Sequence, residues 1–330
     1  MYTKGTIMKV YNSQTNTKLK DGLRQTLEQY RQKRKFQADD YVREKTKILN
    51  EYMRESGLKT CVVAVSGGID SAVVLGLVHA AARRSHSPIT RIIPLFLPVY
   101  NHGAATNQED AFKKASELCA TYNLQLRTID LTKVHAAMKQ TVDDTMQMVG
   151  EDWASGQLVA YTRTPAMYYV TSLCSQMNQP AIICGTTNYD EGGYLGYFGK
   201  ASDGMVDVQL ISDAHKSEVY RLADFLMVPV SILQAIPTGD MYDGRVDEEV
   251  LGASYDFVEL YLYYLNLEKA EKTTLYQTWN SDEKAQFDQL AARLEQLHAY
   301  NSHKYIGRSP AVHLDILKSD VKGGWNNERI

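Results

Sequence analysis

The stretch VVAVSGGIDSAVVL, Val62 to Leu75, decides the fold. A β-branched apolar run ends in a small polar loop, Ser66-Gly67-Gly68-Ile69-Asp70-Ser71, and a second apolar run follows at once. The first run reads as a buried strand and the second as a helix. A Gly-Gly pair between them lets backbone N–H groups approach a ligand with no Cβ in the way. The free N–H groups of the helix start favour an anion, and Ser66 and Ser71 add hydroxyl donors. Asp70 should repel a phosphate unless a divalent cation lies between them. The loop therefore implies a metal-bound polyphosphate at the C-terminal end of a parallel strand. The alternative is an ordinary tight strand–helix turn. Neither GxxxxGK[ST] nor GxGxxG is present.

Outward from the loop, strands and helices alternate. Residues 40–56 carry Tyr41, Ile48, Leu49 and Tyr52 on one helical face. Strands are expected at Val62–Val65, Ile92–Leu97, Leu124–Ile129 and Ala181–Cys184. Helices are expected at Ser71–Arg83, Gln108–Tyr122 and Thr164–Met177. That alternation predicts an α/β fold, a parallel sheet sandwiched by helices. In DAHKSEVYRLADFLMVP, residues Val219, Leu222, Ala223 and Leu226 share a face, with Asp213 as the expected N-cap and Pro229 as the stop. Residues 1–38 read as a polar extension, a solvated helix with a loose start and the basic patch Arg31–Lys35. Residues 39–330 read as the domain proper, helical toward its end and closing in a Gly- and Asn-containing tail expected to be mobile.

Hydrophobic residues make up 44% of the 330, enough for a substantial core, and the net charge is −3. That balance argues against a general nucleic-acid or anionic-membrane binder. No apolar run approaches a membrane span, and the polar N-terminus lacks the apolar core of a signal peptide. The four cysteines, Cys61, Cys119, Cys174 and Cys184, show no CxxC spacing and read as buried thiols of a cytoplasmic protein.

SGGIDSAV resembles the pyrophosphate-binding loop of the N-type ATP pyrophosphatases, enzymes that activate an oxygen by adenylation and release pyrophosphate. Further blocks resemble the ammonia-dependent NAD synthetase family within that superfamily. They are GTTNYDEGGYLGYFGKASDGMVDVQLISDAHKSEVYRLADFL from Gly185, PTGDMYDGRVDEEVLGASYDFVELYL from Pro237, and the closing pair in SHK, His303 and Lys304. The resemblance runs from about Asp40 to Ile306. It implies an adenine nucleotide alpha-hydrolase-like fold and a homodimer whose interface helps build the substrate site. It also implies a ligase that uses ATP and Mg2+ to adenylate the nicotinate carboxylate of nicotinic acid adenine dinucleotide. Ammonia then displaces AMP to give NAD. In its terms ATP is held by Ser66, Gly67, Gly68, Ile69, Asp70, Ser71, Thr186, Lys216 and Thr238. The metal is held by Asp70, Glu191 and Thr238, with Glu191 preferred over the adjacent Asp190 on spacing. The dinucleotide meets Tyr161, Arg163, Tyr168, Lys200, Asp203, Asp207, His303 and Lys304. Lys216 sits in a helix's first turn, an unfavourable place for a cation unless a phosphate offsets it.

Ammonia rather than glutamine is expected because the residues before Val62 leave room for little more than helices, and Cys61, the first cysteine, lies within the strand. The chain also departs from the family pattern. Tyr161 stands where the family has a substrate-contacting Arg, and Gln157 where it often has Asn. Pro165 is expected to interrupt its helix, and Gly199 to loosen a loop that reads GYFGKASDG here. A tyrosine cannot make a bidentate phosphate contact. Two further readings therefore stay open: a related ligase acting on a different carboxylate, and a nucleotide-binding protein without turnover.

Overall fold

The computed structural model describes residues 18–100, 108–239, 244–304 and 312–317. The chain runs α1 (Asp21–Arg34), α2 (Ala38–Glu55), β1 (Thr60–Ala64), α3 (Ile69–Ala82), β2 (Arg91–Phe96), α4 (Gln108–Thr121), β3 (Arg127–Thr128), α5 (Thr132–Met146) and α6 (Asp152–Gln176). It continues through β4 (Ala181–Gly185), α7 (Tyr189–Gly192), β5 (Val208–Gln209), α8 (Lys216–Phe225), α9 (Val230–Leu233) and α10 (Asp247–Leu251). The last elements are α11 (Tyr255–Asn266), α12 (Lys269–Thr278), α13 (Ser281–Asn301) and β6 (Val312–His313). The strand order is β3-β2-β1-β4-β5-β6, and every pairing is parallel.

β1 shows why the sheet is covered on both faces. Cys61, Val63 and Val65 point into one core, shared with α2, α3 and α8. Val62 points into the other, shared with Met167 and Cys174 of α6. Alternate side chains of a strand face opposite ways, so an unbroken apolar run needs two apolar layers. The order reverses between β1 and β4, and the loops that follow these two strands flank the crevice where such sheets bind ligands.

Several expectations are corrected. The helix before residue 38 is not solvated: Leu23, Leu27 and Tyr30, spaced four and three apart, are buried against α11 and α13. Its basic patch is likewise engaged, Arg31 with Asp256 and Glu259, and Arg34 with Glu218. Pro165 does not interrupt α6. The helix runs from Asp152 to Gln176 with Pro165 inside it. Buried Thr162, Thr164 and Met167 fasten the helix on both sides of the missing N–H. α8 begins at Lys216, with His215 rather than Asp213 before its first turn. Leu124–Ile129 shortens to a two-residue strand, Arg127–Thr128. The expected loose start and most of the expected tail, residues 1–17 and 318–330, lie outside the described residues.

Asp213 is the reason a sixth strand stays in place. It pairs with Lys45 at 3.0 Å, both side chains at most 2% exposed, and accepts the amides of Ile316 and Leu317. Lys45 also donates to the Leu314 carbonyl at 2.6 Å, and Ser212 to Asp315 at 2.7 Å. Burial and the Asp213 charge push the Asp315 carboxyl up to about 6, against Lys45 and the Ser212 hydroxyl. A carboxyl with a raised folded pKa stabilises the fold below its unfolded value, and that contribution is lost as pH rises through the folded value. Asp315→Asn should therefore raise the melting temperature at pH 8, by an amount equivalent to about 1–3 kcal/mol. The gain should shrink toward pH 5, and thermal melts that show the same gain at both pH values would contradict this.

Candidate active site

The loop after β1 needs its first glycine. Gly67 has φ +83°, and a Cβ there would lie 2.8 Å from the Ala111 carbonyl. Ser66 and Ser71 fasten the turn. Their hydroxyls are 3.2 Å apart, Gly68 N–H donates to Ser66 at 3.3 Å, and Ser71 donates to the Gly68 carbonyl at 3.0 Å. The Ile69 side chain belongs to the core, so Ile69 offers a ligand only its backbone.

Asp70 stands in the first turn of α3 and faces the crevice. Its Oδ2 is 2.7 Å from Lys216 Nζ, and its Oδ1 accepts from Asn188 at 2.8 Å. Glu191 in α7 accepts from the same ammonium at 2.9 Å and from the Tyr255 hydroxyl at 2.7 Å. Tyr255 also reaches Asp247 at 3.0 Å, and Tyr197 reaches Asp247 at 3.1 Å. Lys216 is 1% exposed, and its ammonium stands 4.8 Å from the centre of the Tyr255 ring. Asp70, Glu191 and Lys216, from two blocks of sequence and three helices, thus meet at one point.

The charges there do not balance. Three carboxylates surround one ammonium. Burial, with Asp70 and Asp247 adding to it, pushes the Glu191 carboxyl up to about 7 even though Lys216 and Tyr255 oppose the shift. Asp247 is raised by burial as well. Burial works against the charge on Lys216, but Asp70 and Glu191 outweigh it and hold the ammonium well above the usual lysine range. Such a centre has room in its charge balance for a further cation.

Asp190 faces away from this centre. It is fully buried, 2.6 Å from His215 Nδ1, and accepts the Lys216 amide at 2.7 Å. Thr186 follows β4 at the crevice and is half-buried. Next to it the buried Thr187 hydroxyl has no hydrogen-bond partner among the described residues. Thr238 lies in an exposed stretch. At the neighbouring Gly239, a Cβ would lie 2.9 Å from the Tyr197 hydroxyl and 3.5 Å from Asp247.

The residues expected to hold the dinucleotide spread over α6, the loop before β5 and the turn after α13. Tyr168 donates to Asp207 at 3.5 Å, and Asp207 accepts the Ile183 amide of β4 at 2.7 Å. Arg163 donates to the Leu97 carbonyl at 3.1 Å. Thr164 ties α6 to the carbonyl of Ala201, beside Lys200. Asp203 accepts from Gly199 N–H and the Ser202 hydroxyl, each at 3.4 Å. Lys304 donates to the Gly196 carbonyl at 3.3 Å, and burial lowers its pKa against the nearby charge of Asp203. His303 is exposed and pairs with the Tyr300 carbonyl. Tyr161, also exposed, donates to Gln157 at 3.3 Å. Gly199 does not leave a loose spot, since a Cβ there would meet the Ser202 hydroxyl at 2.2 Å.

Sequence reasoning missed Asn188, Tyr197, Asp247 and Tyr255 as parts of this centre. Asp247 and Tyr255 both lie in DEEVLGASY, a block that was legible without a role for either residue. Asn188 and Tyr197 lie beside motif positions and carry no signal of their own.

A family model described as NAD synthase matches residues 41–306. The NH(3)-dependent NAD(+) synthetase of Thermoplasma acidophilum is 34% identical over 218 residues, covering 66% of this chain and 81% of that protein. Among solved structures, the NMN synthetase of Francisella tularensis superposes with a TM-score of 0.63 at 24% identity, over 82% of this chain and 96% of that one. The NH3-dependent NAD synthetase of Campylobacter jejuni does so with a TM-score of 0.60 at 20% identity, over the same shares. These superpositions speak for the fold, which is the expected adenine nucleotide alpha-hydrolase-like one. With the family match spanning the loop after β1, the Lys216 centre and the closing His-Lys pair, the chain belongs to the NAD synthase family.

Proposed function

We propose that the chain is a cytoplasmic, ammonia-dependent NAD synthetase. The nicotinate carboxylate of nicotinic acid adenine dinucleotide attacks the α-phosphorus of ATP, and pyrophosphate leaves. Ammonia then attacks the acyl carbon of the mixed anhydride, AMP leaves with the bonding electrons, and NAD results. The observation that carries this reading is the buried Lys216 ammonium between Asp70 and Glu191, beside the Ser66–Ser71 loop at the switch point.

Magnesium fits the donors present. Asp70 and Glu191 are hard oxygen ligands in a centre with excess negative charge, and Thr238 is the third proposed ligand. Among the described residues no three His, Cys, Asp or Glu side chains group to hold a metal by themselves. That suits an ion held by one or two carboxylates and completed by substrate phosphates. When bound, Mg2+ supplies charge neutralisation on the departing pyrophosphate. The chain's own groups do the rest. The amides of Gly67 and Gly68 and the hydroxyls of Ser66 and Ser71 hold the phosphates, with Thr186 at the rim. Lys216 stabilises charge as it develops at the α-phosphorus. Arg163, Tyr168, Lys200, Asp203, Asp207, His303 and Lys304 orient the dinucleotide, which is the main task when no protein nucleophile takes part.

A homodimer is supported by the apolar face of α5 and α6. Val134, Met138, Val142 and Met146 recur every four residues along α5 and are all exposed, as are Tyr169 and Leu173 of α6 and Met177 just after it. Exposed apolar side chains in this number suit burial against a second copy, which would place α6, with its proposed substrate residues, at the seam. The combined substitutions Val142→Asp and Met146→Glu should give a monomer in sedimentation velocity. A variant that still sediments as a dimer would place the interface elsewhere.

A second reading, adenylation of a different carboxylate, has one observation behind it. Tyr161, exposed and paired with Gln157, supplies no cation where the family pattern has one. Loss of turnover is disfavoured by the intact set of Asp70, Glu191 and Lys216. One assay separates the readings: ATP, Mg2+, ammonium and nicotinic acid adenine dinucleotide, with NAD and AMP quantified. Equal amounts of both are expected. AMP formed only with another acid would favour the second reading, and no AMP with any acid would favour the loss of turnover. Asp70→Ala should cut AMP formation at least about a hundredfold while the circular dichroism spectrum is unchanged. An active Asp70→Ala enzyme would overturn the metal assignment.

A further inference from the structure

Behind Lys216 runs a buried chain of polar groups that no step of the reaction uses. α1 precedes Tyr41, where the family match begins. Its Tyr30 hydroxyl nevertheless lies 2.9 Å from His215 Nε2. His215 has no exposed surface, and its Nδ1–H donates to the Asp190 carboxylate at 2.6 Å. The other oxygen of Asp190 accepts the first amide of α8, that of Lys216, at 2.7 Å. Adjacent residues thus hold the two ends of one lysine, Asp190 its amide and Glu191 its ammonium.

Packing alone does not call for this arrangement. An apolar side chain of similar volume at 215 would fill the space without the cost of burying a ring that needs partners at both nitrogens. A carboxylate at a helix start is favourable, but a buried one must have its remaining lone pairs satisfied. The His215 Nδ1–H satisfies Asp190, and the contact at Nε2 fixes how the ring is turned. α1 is well held for the purpose. The Tyr30 ring stacks on Tyr263 at 4.4 Å and meets His215 edge-on at 5.7 Å. Four residues on, Arg34 grips Glu218 of α8 and the Asp213 carbonyl.

We infer that Tyr30, His215 and Asp190 form a positioning relay through which α1 sets where the Lys216 ammonium stands against the nucleotide. The inference rests on the reading of Lys216 as the ATP-contacting cation. None of the three is a catalytic residue; each acts through Lys216. Tyr30→Phe removes one hydroxyl and keeps the stacked ring, so it takes the Nε2 contact from the imidazole, leaving the ring held by Asp190 alone, without emptying the core. A small displacement of a charge-stabilising group is felt most where charge develops.

The test compares the full-length wild type with Tyr30→Phe and Tyr263→Leu. It reads kcat for AMP release, KM for nicotinic acid adenine dinucleotide, the ATP dissociation constant with Mg2+ by calorimetry, and the melting temperature. For Tyr30→Phe a fall in kcat of about tenfold is expected, with KM for the dinucleotide within twofold of wild type and a melting temperature shifted by only a few degrees. Tyr263→Leu, which loses the stack but keeps the hydroxyl, should lower the melting temperature and leave kcat within twofold. An unchanged kcat in Tyr30→Phe overturns the relay. So does a kcat that falls in both variants in step with the melting temperature, since that is a purely structural role. If the wild type releases no AMP, the reading of function fails by itself. The relay is then judged on ATP affinity, which Tyr30→Phe should weaken at least threefold; an unchanged affinity overturns it.

Discussion

The ammonium of Lys216 is taken out of water between Asp70 and Glu191, and that burial constrains three elements at once. Withdrawing an ammonium from water costs several kcal/mol, recovered only if its partners are close and their remaining lone pairs are satisfied. Asp70 meets the condition through Asn188, and Glu191 through Tyr255. α3, α7 and α8 must therefore keep their mutual positions to within a hydrogen bond's tolerance. The shared core of α3 and α8 behind the sheet, and α11 packed against both α7 and α8, supply that rigidity. Because the three carboxylates outnumber the single cation, part of the negative charge stays uncompensated, and Glu191 registers it. The centre is thus stable enough to form while carboxylate charge remains in excess.

The tetrapeptide Asp213-Ala214-His215-Lys216 shows where sequence reading stops. As letters it is a polar helix start, and the obvious reading is an exposed cap at Asp213. Asp213, His215 and Lys216 are instead all buried, with partners on α2 for Asp213, on α7 and α1 for His215, and on α3 and α7 for Lys216. A charge can be buried only if a distant part of the chain supplies its partner, and separations such as the 185 residues between Tyr30 and His215 leave no local pattern. The parallel sheet and the loop after β1 were legible for the opposite reason. Strand period, glycine placement and helix start are properties of a few neighbouring residues. α1 lies between these cases. Its Leu23, Leu27 and Tyr30 carry the helical spacing of a buried face, but the surrounding charges mask it.

The two halves of the candidate site differ in how firmly the fold specifies them. The half around Lys216 is pinned by burial, since loss of that one ammonium leaves Asp70 and Glu191 without their shared cation. Removing one partner of such a pair costs about 3–5 kcal/mol. The residues expected to meet the dinucleotide sit nearer the surface, on α6, the loop before β5 and the turn after α13, and several of their contacts are long, 3.3–3.5 Å at Tyr168, Asp203 and Lys304.

Three of the departures from the family pattern, Gln157, Tyr161 and Gly199, lie close together. A side chain begun at Gly199 would collide with the Ser202 hydroxyl at 2.2 Å and come within 3.9 Å of the Tyr161 ring. The Ser202 hydroxyl in turn bonds the Gly199 carbonyl and Asp203, one of the expected substrate contacts. Positions 161, 199 and 202 are thus one packing unit. The small residue at 199 lets the loop fold onto Ser202, and the ring at 161 lies over the space that this leaves. An arginine placed at 161 alone would meet a loop already shaped for a tyrosine, and its guanidinium would not inherit the family's geometry. Packing at position 161 is therefore tied to 199 and 202, and a substitution at one of the three is felt at the others.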